Sequence, residues 1–170
     1  MKKRIRILAI LFVFIFIFCS CEKEKKTCEE LLLVGLDYGI DGYSDNGYMF
    51  FKNVDESSVF FMTENLKNDM YGMKFKSALD ETCDFAIYVS ASSPYEIAIF
   101  ECYSRNDTDI ILRMCYEHSD EIKIGLRFTE WETASKAIEI TSYKKYVIFV
   151  FTDSGERNEG ALEDIVALLR

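Results

Sequence analysis

An α+β fold built on an antiparallel sheet is what three features of the sequence predict. Residues 85–89 and 95–102 are dense in β-branched and aromatic side chains, and the turn-forming SASSP stretch separates them. Residues 137–141 and 146–152 form a second such pair around the turn SYKK. Between the pairs, Ile111, Met114, Cys115, His118 and Ile122 recur with the period of one helix face. Strands joined by short turns pair antiparallel. Helices that come after strand pairs, and do not alternate with single strands, place the chain in the α+β class. Over the C-terminal two thirds the expected order is strand, strand, helix, strand, strand, helix, with the helices packed on one face of the sheet.

Each element has its own local signal. Residues 31–36 and 48–51 read as two strands of a hairpin around a loop rich in Gly and Asp. Residues 64–71 read as a short helix that Gly72 stops. The 85–102 hairpin comes next, then the long amphipathic helix, which the cap-type residues Asn106 and Asp107 open. After the 137–152 hairpin, residues 160–169 close the chain as a helix with Leu162, Ile165, Val166 and Leu169 inward.

The N-terminus has the layout of an export signal. MKKRIR carries four basic residues, and residues 7–19 then run without a charge. Thirteen helical residues rise about 20 Å, short of a hydrocarbon core of about 30 Å. The end of this apolar run is similar to a bacterial lipobox, whose cysteine is acylated and becomes the new N-terminus. Cys21, preceded by the small residues Ser20 and Cys19, suits that role better than Cys19, which comes after Phe18 and Ile17. Phe18 stands where such motifs usually carry leucine. The reading is therefore a cleaved signal peptide over residues 1–20, lipidation at Cys21, a charged spacer over 21–30 and one domain over 31–170. An uncleaved signal anchor is the alternative, and either outcome tethers the domain on the outer face of the cell membrane.

Removing residues 1–20 takes away Lys2, Lys3, Arg4 and Arg6 and no acid, so the formal charge moves from −9 to −13. No basic stripe of the kind that neutralises phosphates remains, which excludes nucleic acid as a partner. The same charge should repel anionic lipid headgroups, leaving the lipid on Cys21 as the tie to the membrane. The apolar fraction of 49%, with fourteen Phe and ten Tyr, supplies a real core, and the single Pro94 argues against a long linker.

Three stretches, LKNDMYGM (66–73), PYEIAIFECYS (94–104) and KKYVIFVFTD (144–153), come in that order after the lipobox. In them the chain resembles a family of small lipoproteins of clostridia and related Gram-positive bacteria, known as a domain of unknown function. The likeness covers about residues 64–169. It implies an exported, lipid-anchored α+β domain and carries no activity, and residues 31–57 have no counterpart in it.

Candidate chemistry is sparse. Asp37, Asp41, Gly42 and Asp45 fall at positions of a calcium-loop template, but Gly39 and Tyr48 stand where ligands belong, so a plain turn competes with weak calcium binding. After signal cleavage and lipidation, Cys28, Cys83, Cys102 and Cys115 remain, with no C-x-x-C pair. If Ser90 pairs with Tyr95, Cys83 falls opposite Cys102, and a disulfide between them becomes geometrically accessible. Buried free thiols are the alternative. His118, the only histidine, lies one turn from Cys115, which suits either a metal or nucleophile pair or a place at the edge of the core. No cofactor motif occurs.

The reading that results is a lipid-anchored, extracytoplasmic, non-enzymatic binding module that contacts an envelope protein through a sheet edge or exposed aromatics such as Tyr88, Tyr95 and Trp131. A cell-surface hydrolase using carboxylates the sequence does not single out, and a calcium-dependent adhesion module, are the alternatives.

Overall fold

The computed structural model describes residues 25–44 and 46–170. The expected signal peptide, Cys21 and Asp45 lie outside the described residues.

Thr27 opens helix α1, Cys28–Gly39, through a capping box. Its hydroxyl accepts from the Glu30 amide while the Glu30 carboxylate accepts from the Thr27 amide, so two donors left over at the helix start find partners. The strand expected over residues 31–36 is corrected by this helix. Leu31, Leu32, Gly35, Leu36 and Gly39 are buried at helical spacing. The domain also begins earlier than expected, because Cys28, in the anticipated spacer, is already buried.

Five strands then form one sheet in the order β1-β2-β3-β5-β4, every neighbour antiparallel. The strands are β1, Gly47–Phe51; β2, Cys83–Ser90; β3, Glu96–Cys102; β4, Glu139–Tyr143; and β5, Tyr146–Phe151. Helix α2, Glu64–Tyr71, is capped by Thr63 and ends at Gly72. A 3-10 turn, Met73–Phe75, and α3, Lys76–Glu81, lead into β2. Helix α4, Arg105–Gly125, is capped two residues before the expected caps, where Ser104 accepts from the Asp107 amide. A short α5, Glu132–Ser135, precedes β4. Helix α6, Gly155–Leu169, starts five residues early because Ser154 caps it.

The α+β class and the strand, strand, helix order hold, with α3 and α5 added. The helices cover both faces of the sheet, which corrects the single covered face. Ile87, Ala98, Phe100, Val147 and Phe149 pack under α2 to α5, whereas Ala86, Tyr88, Ile97, Ile99, Ile148 and Val150 pack under α1 and α6. The reason is legible in composition: β2, β3 and β5 are apolar at almost every position, and a strand with one wet face would alternate. Gly35 lets α1 approach α6, since a Cβ there would sit 2.8 Å from the Ile165 side chain.

Gly47 plays a different part at the start of β1. The ring of Tyr88, fully buried on the neighbouring strand, lies over it, and a Cβ would meet that ring at 2.3 Å. Gly47→Ala should therefore destabilise the domain by about 1–3 kcal/mol, the usual cost of overpacking, because Tyr88 has no free space to swing into. Chemical denaturation of the two proteins checks this; an unchanged midpoint would mean that Tyr88 relaxes freely.

Candidate functional site

The central strand β3 is buried at all seven positions, yet it carries an acid near each end. Alternation sends them to opposite faces. Glu96 points into the layer of α2 and α4, and Glu101 into the layer of α1. Each carboxylate is met by donors brought from distant parts of the chain.

Glu96 accepts a 2.8 Å hydrogen bond from the Tyr71 hydroxyl through one oxygen and stands 2.7 Å from His118 Nε2 through the other. The His118 ring packs against Tyr71 and Phe149, all within the core. Burial alone would lower the His118 pKa, but the charge and hydrogen bond of Glu96, aided by Glu121 and the Met70 backbone, outweigh it and raise the pKa above the ordinary 6.5. Tyr71 stays a phenol, held up by burial and by the Glu96 charge. Glu96 thus favours the protonated form of His118 inside the core. Cys115, one turn away, has its thiol pushed well up by burial and by the same carboxylate, the opposite of what a nucleophile requires.

Glu101 is bridged by Lys25, at 2.6 Å, and by Lys145. Tyr146 lies beside it with its hydroxyl donating to the Lys26 carbonyl at 3.1 Å, and burial with the Glu101 charge pushes that phenol up to about 12. Next to this group opens a shallow cavity of about 340 Å³, lined by Lys25, Cys28, Phe51, Asp84 and Glu101. Burial, then the Glu101 charge, drives the Cys28 thiol up to about 12. The two buried acids therefore serve opposite faces, and each is neutralised where it stands.

The register places Cys83 opposite Cys102, as the Ser90–Tyr95 pairing demands. Tyr103 donates to the Thr82 carbonyl, so the adjacent cysteine pair is a non-hydrogen-bonded one, with a typical Cα spacing of about 4.5 Å. The expected bridge is not formed. Both thiols are free, and the Cys83 sulfur is turned toward the Leu79 carbonyl at 3.8 Å. Burial holds both thiols up, Cys102 to about 11.

The calcium-loop residues are not brought together. Asp37 lies on α1 and bonds the Tyr43 hydroxyl, Asp41 pairs with Arg157 at 2.7 Å, and Asp45 lies outside the described residues. Among the described residues no group of three His, Cys, Asp or Glu could hold a metal ion.

The surface offers more. Lys52 stands opposite Phe85 and donates to its carbonyl, so Phe50 and Tyr48 face β2 with their hydrogen-bonding groups while Met49 turns its N–H and C=O outward. Among the described residues no backbone group bonds Met49 on that side. The edge is closed at one end, where Phe51 donates to the Phe60 carbonyl. Around it lie Tyr48, Val59 and Phe60, exposed at 61%, 83% and 43%. Of the aromatics expected to make contacts, Tyr88 is corrected, since it is fully buried under α1. Tyr95 and Trp131 are half-buried and stack edge to face at 5.2 Å beside the β2–β3 turn. Searches of family models, curated proteins and solved structures yield no match to the chain.

Sequence reasoning missed Glu96 and Glu101 as buried acids; an acid amid the apolar run 95–102 was the only available signal. The geometry predicts two outcomes. Because the folded-state pKa of His118 is raised, its stabilising contribution is complete below about pH 6.5 and is lost as pH rises through the folded value. The unfolding free energy should fall as pH rises above about 6.5, and in the double variant Glu96→Gln, His118→Asn, which leaves no unpaired buried carboxylate to titrate, that slope should vanish. With no second histidine to titrate in this window, a slope that survives the substitution would contradict the assignment. For the thiols, treatment with a diazenedicarboxamide oxidant should join Cys83 to Cys102 in non-reduced peptide maps; recovery of both as free thiols would mean that burial shields the pair.

Proposed function

We propose that the chain is a lipid-anchored extracytoplasmic binding module, tethered through Cys21 to the outer face of the membrane and taking up an extended segment of an envelope protein on the β1 edge. The observation that carries the binding half is the outward-facing backbone of Met49 flanked by exposed Tyr48, Val59 and Phe60. An incoming strand gains main-chain hydrogen bonds from such an edge, and alternate side chains find apolar partners beside it. Both faces of the sheet are already covered, so its edges are where it can still pair. The export layout before Cys21 and the likeness to small clostridial lipoproteins support the tether. No helix among the described residues is long and apolar enough to cross a membrane.

Proline at position 49 tests the edge, because it removes only an N–H that points away from β2 and leaves the β1–β2 ladder intact. In-cell photo-crosslinking should capture one envelope protein with the native chain, and Met49→Pro should reduce that capture about tenfold, the effect of roughly 1.4 kcal/mol. Equal capture by both proteins would sink the strand-edge reading. For the tether, Cys21→Ser should abolish incorporation of labelled palmitate, and unchanged labelling would place the anchor elsewhere.

A further inference from the structure

The acidic total hides a basic end. Lys25, Lys26, Lys144, Lys145 and Arg170 line one concavity of about 250 Å³, and Lys144 and Lys145 continue with Arg105 into a second of about 590 Å³ at the start of α4. These six cations come from four separate parts of the chain and meet where β3 ends and β5 begins. They reach solvent: the side chains of Lys25 and Lys145 are 64% and 48% exposed, and Arg105, Lys144 and Arg170 are exposed as well. Acids stand among them: Glu101 lies buried beneath Lys25 and Lys145, Glu30 is 3.7 Å from Lys26, Glu29 and Asp84 line a cavity with Lys25 and Lys26, and Asp109 lines the second concavity.

The position of this end matters as much as its charge. Cys21 precedes Lys25 by four residues, which span at most about 14 Å when fully extended. Lipid on Cys21 therefore holds the basic end close to the bilayer surface, where the potential of anionic headgroups acts over a Debye length of about 8 Å. Six cations close to that surface are attracted while the acidic remainder is repelled. The two forces turn the domain the same way.

Resting on the lipid-anchor reading above, we infer that the surface formed by Lys25, Lys26, Arg105, Lys144, Lys145 and Arg170 docks on anionic phospholipid headgroups and holds the domain upright on the membrane. The β4–β5 turn then lies against the bilayer, and the β2–β3 turn with Tyr95 and Trp131 points away. This reading departs from the expectation, drawn from net charge, that anionic lipid repels the whole domain.

Lysine footprinting tests it with controls inside the same molecule. The full acylated chain is placed on phosphatidylcholine vesicles with or without about one third phosphatidylglycerol, and acetylation by a brief reagent pulse is read at each lysine. With an attraction of about fivefold per cation near an anionic surface, Lys25, Lys26 and Lys144 should react at least about fivefold more slowly on the anionic vesicles, while Lys74, Lys123 and Lys136 are unchanged. About 1 M salt, which shortens the Debye length to about 3 Å, should restore their reactivity. In the double variant Arg105→Glu, Lys144→Glu the slowing at Lys25 and Lys26 should be lost. The salt arm, on the native chain, decides the matter if that variant folds poorly.

Equal reactivity on both vesicle types, with protein sedimenting on both, overturns the docking surface and leaves the anchor standing. Sedimentation on the anionic vesicles alone supports the surface and overturns the anchor, and sedimentation on neither overturns both. Restoration of reactivity by inorganic phosphate, at an ionic strength matched with chloride, would assign the surface to free phosphate and overturn the membrane reading.

Discussion

The burial of β3 on both faces, with a carboxylate at each end, is the constraint on which the rest of the molecule depends. A buried charge that loses its partner costs about 3–5 kcal/mol, so neither Glu96 nor Glu101 can be left alone. Glu96 is answered by Tyr71 from α2 and His118 from α4. Glu101 is answered by Lys25 from the segment before α1 and Lys145 from the β4–β5 turn. Two acids near opposite ends of one strand thus fix the relation of four distant segments to it. Apolar burial holds these layers together, and the ion pairs decide where each layer sits.

That arrangement also determines which surfaces remain free to act. A sheet covered on both faces has no open face for a ligand, and its buried titratable groups are engaged with one another. His118 is buried against Glu96, and Cys28, Cys83, Cys102 and Cys115 are buried with raised pKa values. What is left is two edges, β1 and β4, and two ends. The β1 edge carries unpaired backbone beside exposed apolar side chains. Such edges are usually shortened, charged or covered, because they pair readily with other chains, and β1 is guarded only in part, by Phe60 at one end.

Much of the fold was legible because its signals are local. Ser90 and Tyr95 fix the β2–β3 register, and the spacing of Ile111, Met114, Cys115 and His118 marks the buried face of α4. Residues 31–36 were illegible by pattern, since an almost unbroken apolar run suits a buried strand and a buried helix equally. The deciding signal was upstream, in the Thr27 and Glu30 capping box. Helices α3 and α5, of six and four residues, are too short to show a period. The buried acids and the basic end were beyond reach for another reason. Both depend on contacts between residues far apart in sequence, and a count of charges contains no such information.

Position therefore separates two statements that net charge merges. A chain with formal charge −13 after residue 20 is repelled by an anionic surface at long range, where only its total is felt. Within a Debye length of a bilayer the nearest charges dominate, and the proposed tether would set which charges those are. With the basic end down, as proposed, the strands would stand across the membrane plane and the β1 edge would face sideways along their length. A segment that pairs with Met49 would then run from the membrane outward. Its source would be a neighbour rooted in the same membrane or rising past it, which joins the two proposed surfaces in one geometry: the end would set the height and tilt of the domain, and the edge would select what lies beside it.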